Sequence, residues 1–190
     1  MRVTGKSILW EGRFLRTALL DYEDKNGIAR QWEIVERTTS EGVVIIAAIT
    51  ENNKAILIRQ YRPALNAYII ELPAGLIEPD EKPSAACRRE LIEETGYSSG
   101  EISTLSGGVI STGILAENWY AMLVMNASAA TREAIKQYPP DETEDIEVLT
   151  VDMDSFYDEL SAMQDRGELV DIRIYGILEL ARRRLASEGG

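Results

Sequence analysis

The segment that most constrains this chain runs from Gly75 to Tyr97, GLIEPDEKPSAACRRELIEETGY. Glu90, Glu93 and Glu94 stand at i, i+3 and i+4, so on a helix their carboxylates leave from one face. Like charges at that spacing cost an isolated helix about a few tenths of a kcal/mol per pair. A cation among them would remove that cost. Hard oxygen ligands without His or Cys partners point to Mg²⁺ or a similar ion such as Mn²⁺, and Mg²⁺ commonly accompanies a phosphate substrate. Pro83 suits the first turn of the helix, with start chemistry from Asp80 to Ser84, and Gly96 suits a left-handed stop.

The flanking chain reads as α/β. Residues 7–37 alternate short apolar runs with turn signals, and DKNG at 24–27 predicts a hairpin. VVIIAAI after Gly42 is a continuous apolar run of strand length, hence a buried central strand, and KAILIRQYR returns beyond the turn ENNK. NAYIIELPAG is the next strand, stopped at Pro73, and leaves an unpaired backbone corner around Ala74. Further on, GGVISTG reads as a loop, NWYAMLVMNA as a strand, the segment from Ala130 to Asp145 as a surface loop after at most a short helix, and IEVLTVDM as the last strand. DSFYDELSAMQDRG and VDIRIYGILELARRRL read as helices. The latter carries an apolar stripe of Ile174, Ile177, Leu178, Ala181 and Leu185, with Arg182 to Arg184 meeting the negative end of its dipole. Strands flanked by helices and joined mostly by short turns predict a mixed sheet.

With 190 residues there is room for one substantial domain and a small extension. The net charge of −12 argues against nucleic acid or an anionic membrane as partner, so an anionic substrate needs local cations. No histidine is present, which excludes His-based acid–base chemistry and zinc–His sites. Cys87 is alone and suits a small core residue in a reducing compartment; with no signal peptide in the N-terminal stretch, a cytoplasmic location is expected.

The segment 75–97 resembles the Nudix hydrolase box, G-x5-E-x7-R-E-U-x-E-E-x-G-U, with Gly75, Glu81, Arg89, Glu90, Leu91, Glu93, Glu94, Gly96 and Tyr97 in the fixed places. The likeness implies an α/β/α sandwich with a mixed sheet. EGRF, RQWEIVER, IRQYRPA, ELPAGLIE, ETEDIEV and GELVDIRIY resemble the ADP-ribose and ADP-sugar pyrophosphatase branch. That implies a nucleoside diphosphate sugar as substrate and a homodimer. An N-terminal antiparallel β extension, residues 1–41, would complete the partner's nucleotide pocket, followed by the hydrolase domain, residues 42–190.

By the same resemblance, Glu90, Glu94 and the carbonyl of Ala74 are the metal ligands, with Glu93 beside them in the catalytic set. Gly75, Glu81, Arg89 and Gly96 are structural, Glu81 and Arg89 as an ion pair between loop and helix. A catalytic glutamate falls in DETED, where Glu142 and Glu144 both qualify. Phe14 and Trp32 match adenine-stacking aromatics, with Glu33 and Arg37 in the nucleotide-site pattern that follows Trp32. Core or interface packing is the competing role for Phe14, and packing is the simple role for Trp10. Arg62 matches a diphosphate-binding arginine, whereas a surface salt bridge explains Arg59. Glu117 stands where such relatives carry an acid. Thr112 replaces the proline of the branch's Ser-Pro-Gly, which leaves room for GDP-mannose or another sugar nucleotide. A non-catalytic sensing module is the alternative of another class, disfavoured because no box acid is missing. Cleansing of mutagenic nucleotides is disfavoured by the N-terminal extension.

Overall fold

A computed structural model describes residues 1–40, 42–141 and 143–188. The apolar run becomes β4 (Gly42–Thr50), buried at every position before Thr50. Alternation along it sends Ile45, Ala47 and Ile49 to one face and Val44, Ile46 and Ala48 to the other. On the first face lie α3 (Phe156–Asp165) and α4 (Arg173–Glu188), which contribute Phe156, Leu160, Ile174, Leu178 and Ala181. On the second lies α1 (Pro83–Thr95), with Ala86, Cys87 and Leu91. Two apolar layers around one sheet give the expected α/β/α sandwich. Among the described residues no helix is long and apolar enough to cross a membrane.

The sheet is mixed. β4 runs parallel to β10 (Trp119–Ala129) and antiparallel to β7 (Ala74–Ile77). β5 (Lys54–Arg62) meets β4 at Ala55–Ile49 and pairs antiparallel with both β6 (Ala67–Glu71) and β11 (Ile146–Asp152). β8 (Tyr97–Ser98) and β9 (Glu101–Gly108) join β10, and β12 (Leu169–Val170) runs parallel to β6. A separate antiparallel sheet holds β1 (Arg2–Glu11), β2 (Leu15–Glu23) and β3 (Ala29–Arg37) in that order. Its β2–β3 turn is closed by Asp24, whose carboxylate accepts from the Asn26 and Ile28 N–H groups at 2.8 and 3.0 Å, with Gly27 at φ +74°. β3 touches the main body through the Val35 N–H, which donates to the Ile114 carbonyl at 2.8 Å.

Several elements differ from the sequence expectation. β9, EISTLSGG, has few apolar residues to announce a strand; its pairing with β10 holds it extended. Ala74 opens β7 in register with Ile45, but its N–H turns to Glu94 rather than to β4, while the Pro73 carbonyl accepts from the Ile46 N–H at 2.8 Å. α1 is preceded by Lys82 with no side-chain cap, so Asp80 does not cap it, although Pro83 and the left-handed Gly96 (φ +68°) behave as expected. α4 starts at Arg173, because Val170 belongs to β12 and Asp171 accepts from the Arg173 N–H. The helix extends to Glu188, so its arginines fall short of the last turn, and Arg182 and Arg183 pair with Glu179 instead. α2 (Arg132–Gln137) is a short helix in the surface segment, capped by the Thr131 hydroxyl.

Candidate active site

The site grows from how α1 lies against β7. One side of the helix buries Ala86, Cys87 and Leu91, which leaves Glu90, Glu93 and Glu94 on the side toward the sheet's open end. Gly75 lies directly beneath Glu90: a Cβ built on it would overlap the Glu90 carboxylate. That is why glycine stands there, since its φ is unremarkable. Glu94 accepts from the Ala74 N–H at 2.9 Å. Arg89 ties loop to helix as expected, donating to both carboxylate oxygens of Glu81 at 2.9 and 3.1 Å and to the Leu76 carbonyl at 2.8 Å. It also donates to Glu90 at 2.6 Å and Glu93 at 3.1 Å, so one guanidinium partly neutralises two of the three box acids.

That neutralisation is incomplete. Burial pushes the Glu90 carboxyl up to about 7 despite Arg89, and burial followed by the Glu90 charge pushes Glu94 well above its ordinary range. Among the described residues, no three Asp or Glu side chains converge as a ready-made cage. The donor set nevertheless fits a hard divalent cation: the buried Glu94, the half-buried Glu90, Glu93 alongside, no soft ligand, and a charge deficit that a cation would fill.

The acids line a cavity of about 440 Å³ whose other walls carry Arg37, Arg62 and Arg173. Alternation on β5 puts Gln60 and Arg62 on the same face as Ile56, the α1 side. Arg62 pairs with the buried Glu71 at 2.6 Å. Arg173 is gripped by Asp171 and lies 4.7 Å from the Trp119 ring centroid. With Arg89, an acidic protein thus gathers four guanidinium groups around one opening, where an anionic ligand needs them.

Glu144 lines the same cavity, with its carboxyl pushed up by partial burial and by Asp141, and drawn down by Arg62. Glu142 lies outside the described residues. Arg37 reaches the cavity while it pairs with Glu117, whose other oxygen accepts from Trp119 Nε1 at 2.9 Å. Glu117 itself faces a smaller neighbouring cavity of about 200 Å³. Phe14, Trp32 and Glu33 are exposed and do not line the acid cavity within one chain. The Arg13 guanidinium sits over the Phe14 ring, and Trp32 Nε1 donates to the Gly113 carbonyl at 2.8 Å. The loop that carries Thr112 is therefore tied to Trp32. Arg59 pairs with Glu147 and Glu168, as its simpler explanation required.

Sequence reasoning missed Glu71, Trp119, Asp141 and Arg173 as cavity residues. Glu71 and Arg173 fall inside the resembling segments ELPAGLIE and GELVDIRIY, which was the available signal; nothing local marked Trp119.

Comparison with known proteins agrees with this geometry. Residues 39–186 match the NUDIX domain. The mouse ADP-sugar pyrophosphatase is 30% identical over 183 residues, covering 91% of this chain and 84% of that protein. The GDP-mannose pyrophosphatase of Citrobacter koseri is 33% identical over 165 residues, covering 83% and 81%. The crystal structure of an ADP compounds hydrolase superposes with a TM-score of 0.79 at 21% identity, covering 99% of this chain and 95% of that one, which speaks to the fold. A domain match over most of the length, joined to relatives at this identity, places the chain in the Nudix hydrolase family.

Proposed function

We propose that this chain hydrolyses the pyrophosphate of a nucleoside diphosphate sugar, taking ADP-ribose to AMP and ribose 5-phosphate, with Mg²⁺ or Mn²⁺ as its metal. The observation that carries this reading is the meeting of Glu90, Glu93 and Glu94 with Arg37 and Arg62 around one cavity. Glu90, Glu94 and the Ala74 carbonyl would hold the cation. When bound, it would acidify the attacking water and neutralise charge on the phosphoryl oxygens. Arg62 orients the diphosphate; substrate binding displaces it from Glu71. Glu144 takes the proton of the water whose oxygen bonds to one phosphorus, as the bridging oxygen departs with the other phosphate. A carboxyl raised above its ordinary value suits that proton transfer near neutral pH. Glu93 supports the water's approach from beside the ligands.

The 1–41 extension is proposed to serve a second copy. Phe14, Trp32 and Glu33 do not line their own chain's cavity, and a homodimer would bring them to the partner's adenine; an aromatic face is worth about 1–3 kcal/mol per stacked base. Cytoplasmic work fits the buried Cys87, whose thiol burial pushes up to about 12. A second substrate reading, GDP-mannose, is supported by Thr112 in place of proline and by the relative of that name.

The test is a product assay on ADP-ribose, GDP-mannose, other NDP-sugars, dinucleoside polyphosphates and NTPs, with Mg²⁺ or EDTA. Metal-dependent release of AMP and ribose 5-phosphate fastest from ADP-ribose is expected. GDP-mannose ahead of ADP-ribose would favour the second reading, and no cleavage of any of them would overturn both.

A further inference from the structure

β5 is apolar on the α1 face as far as Ile58, and then places a glutamine there. Gln60 is 3% exposed, and its Oε1 is buried with no hydrogen-bond partner among the described residues. A buried amide with an unsatisfied oxygen is a net cost that leucine or methionine would avoid. The Gln60 side chain faces the Glu144 carboxylate closely enough to help hold its pKa down. The register explains the meeting: Gln60 pairs with Ile146, so the residues just before β11 run alongside the end of β5. The Tyr61 N–H donates to the Asp145 carbonyl at 3.4 Å, which continues the ladder by one residue.

The other face of the sheet adds a second hold. Tyr68 lies opposite Tyr61, with ring centroids 5.4 Å apart, and its hydroxyl donates to the Asp145 carboxylate. The Arg59 guanidinium lies over the Tyr68 ring at 4.2 Å. Two consecutive residues of the DETED loop are thus grasped from opposite faces, Glu144 from the cavity side and Asp145 from beyond.

We infer that Gln60 is a positioning residue, whose buried amide aims the Glu144 carboxylate into the cavity while Tyr68 fixes the adjoining Asp145 across the sheet. The inference rests on Glu144 being the base of the proposed reaction. It accounts for a buried polar side chain on a strand face that is apolar at Ile56 and Ile58, and for a loop that reaches the cavity with little regular structure of its own.

A double-mutant cycle on the full-length protein tests it, with the nucleotide cleaved fastest in the product assay as substrate. Gln60→Met keeps length and flexibility and should lower kcat about 10- to 100-fold, with KM unchanged and the melting temperature equal to or above that of the wild type. Tyr68→Phe should lower kcat by a smaller factor, about 3- to 10-fold. In the Glu144→Gln background, Gln60→Met should lower the residual rate no further, because the group it orients is gone. Should Gln60→Met fail to fold by circular dichroism, Gln60→Leu and Tyr68→Phe carry the same cycle. Unchanged kcat in the Gln60 variants while Glu144→Gln is slow would overturn the inference and leave Glu144 as the base. An equal loss in both backgrounds would also overturn it, since Gln60 would then act elsewhere. A wild-type rate for Glu144→Gln would remove the base assignment and this inference with it.

Discussion

At the scale of single residues, the site is a contest between burial and charge. Arg89 supplies one positive charge to Glu81, Glu90 and Glu93, while Glu94 accepts from the Ala74 N–H and feels Arg62 at longer range. Removing Arg89 strands three acids in a half-dry site. Arg89→Met should destabilise the fold by about 3 kcal/mol, as loss of one partner from a buried pair does, read from urea unfolding. The pH dependence follows from the same imbalance. With its folded value near 7 and its unfolded value in the ordinary glutamate range, Glu90 keeps in the native state a proton that the unfolded chain releases. Its contribution to the stability of the metal-free protein is therefore fullest at acid pH and is lost as pH rises toward and through about 7. In EDTA, the melting temperature should drop between about pH 5 and about pH 8, and the slope should flatten in Glu90→Gln. Added Mg²⁺ should raise it more at the higher pH, because ligands must shed protons to bind. A slope unaltered by Glu90→Gln would count against the assignment. Gly75→Ala drives a methyl into the Glu90 carboxylate and should cost roughly 10²-fold in kcat, the scale expected when a ligand is displaced by about an ångström.

Among the elements, α1 was the most legible from the chain itself. Pro83, the apolar spacing of Ala86, Cys87 and Leu91, and Gly96 give its start, buried face and end without tertiary help. Gly96→Ala should cost about 1 kcal/mol, since a Cβ is strained at φ +68°, and leave kcat nearly intact; thermal melts and kinetics check this together. β4 was equally plain, because a residue run buried on both faces has to be apolar throughout. β9 was not, because EISTLSGG becomes a strand only when β10 offers it a ladder. The cavity divides the same way. Three of its acids, Glu90, Glu93 and Glu94, share one helix and were visible as spacing. Trp119, Glu71 and Arg173 come from three other elements that meet only in the fold, so no local pattern announced them. Gln60 was hidden for a further reason: among Arg59, Gln60 and Arg62 at the end of KAILIRQYR nothing in the sequence marks Gln60 as the buried one.

For the whole molecule, the three-stranded sheet is the unfinished part. Trp10, Phe14 and Trp32 each expose half or more of their surface, more aromatic area than a monomer needs to leave in water. Light scattering should give twice the chain mass of 21.2 kDa, and Trp32→Ala should raise KM for an adenine nucleotide without slowing kcat. A monomer with unchanged KM would remove the shared pocket. The central claim, however, is that Glu90 and Glu94 release their protons to hold a divalent cation. Titration of Mn²⁺ followed by electron paramagnetic resonance tests it without reference to turnover. The free-ion signal should be quenched by the wild-type protein, and affinity should fall at least about tenfold in Glu94→Gln, the penalty of losing a ligand oxygen charge. Equal binding by both proteins, or none by the wild type, would contradict the account.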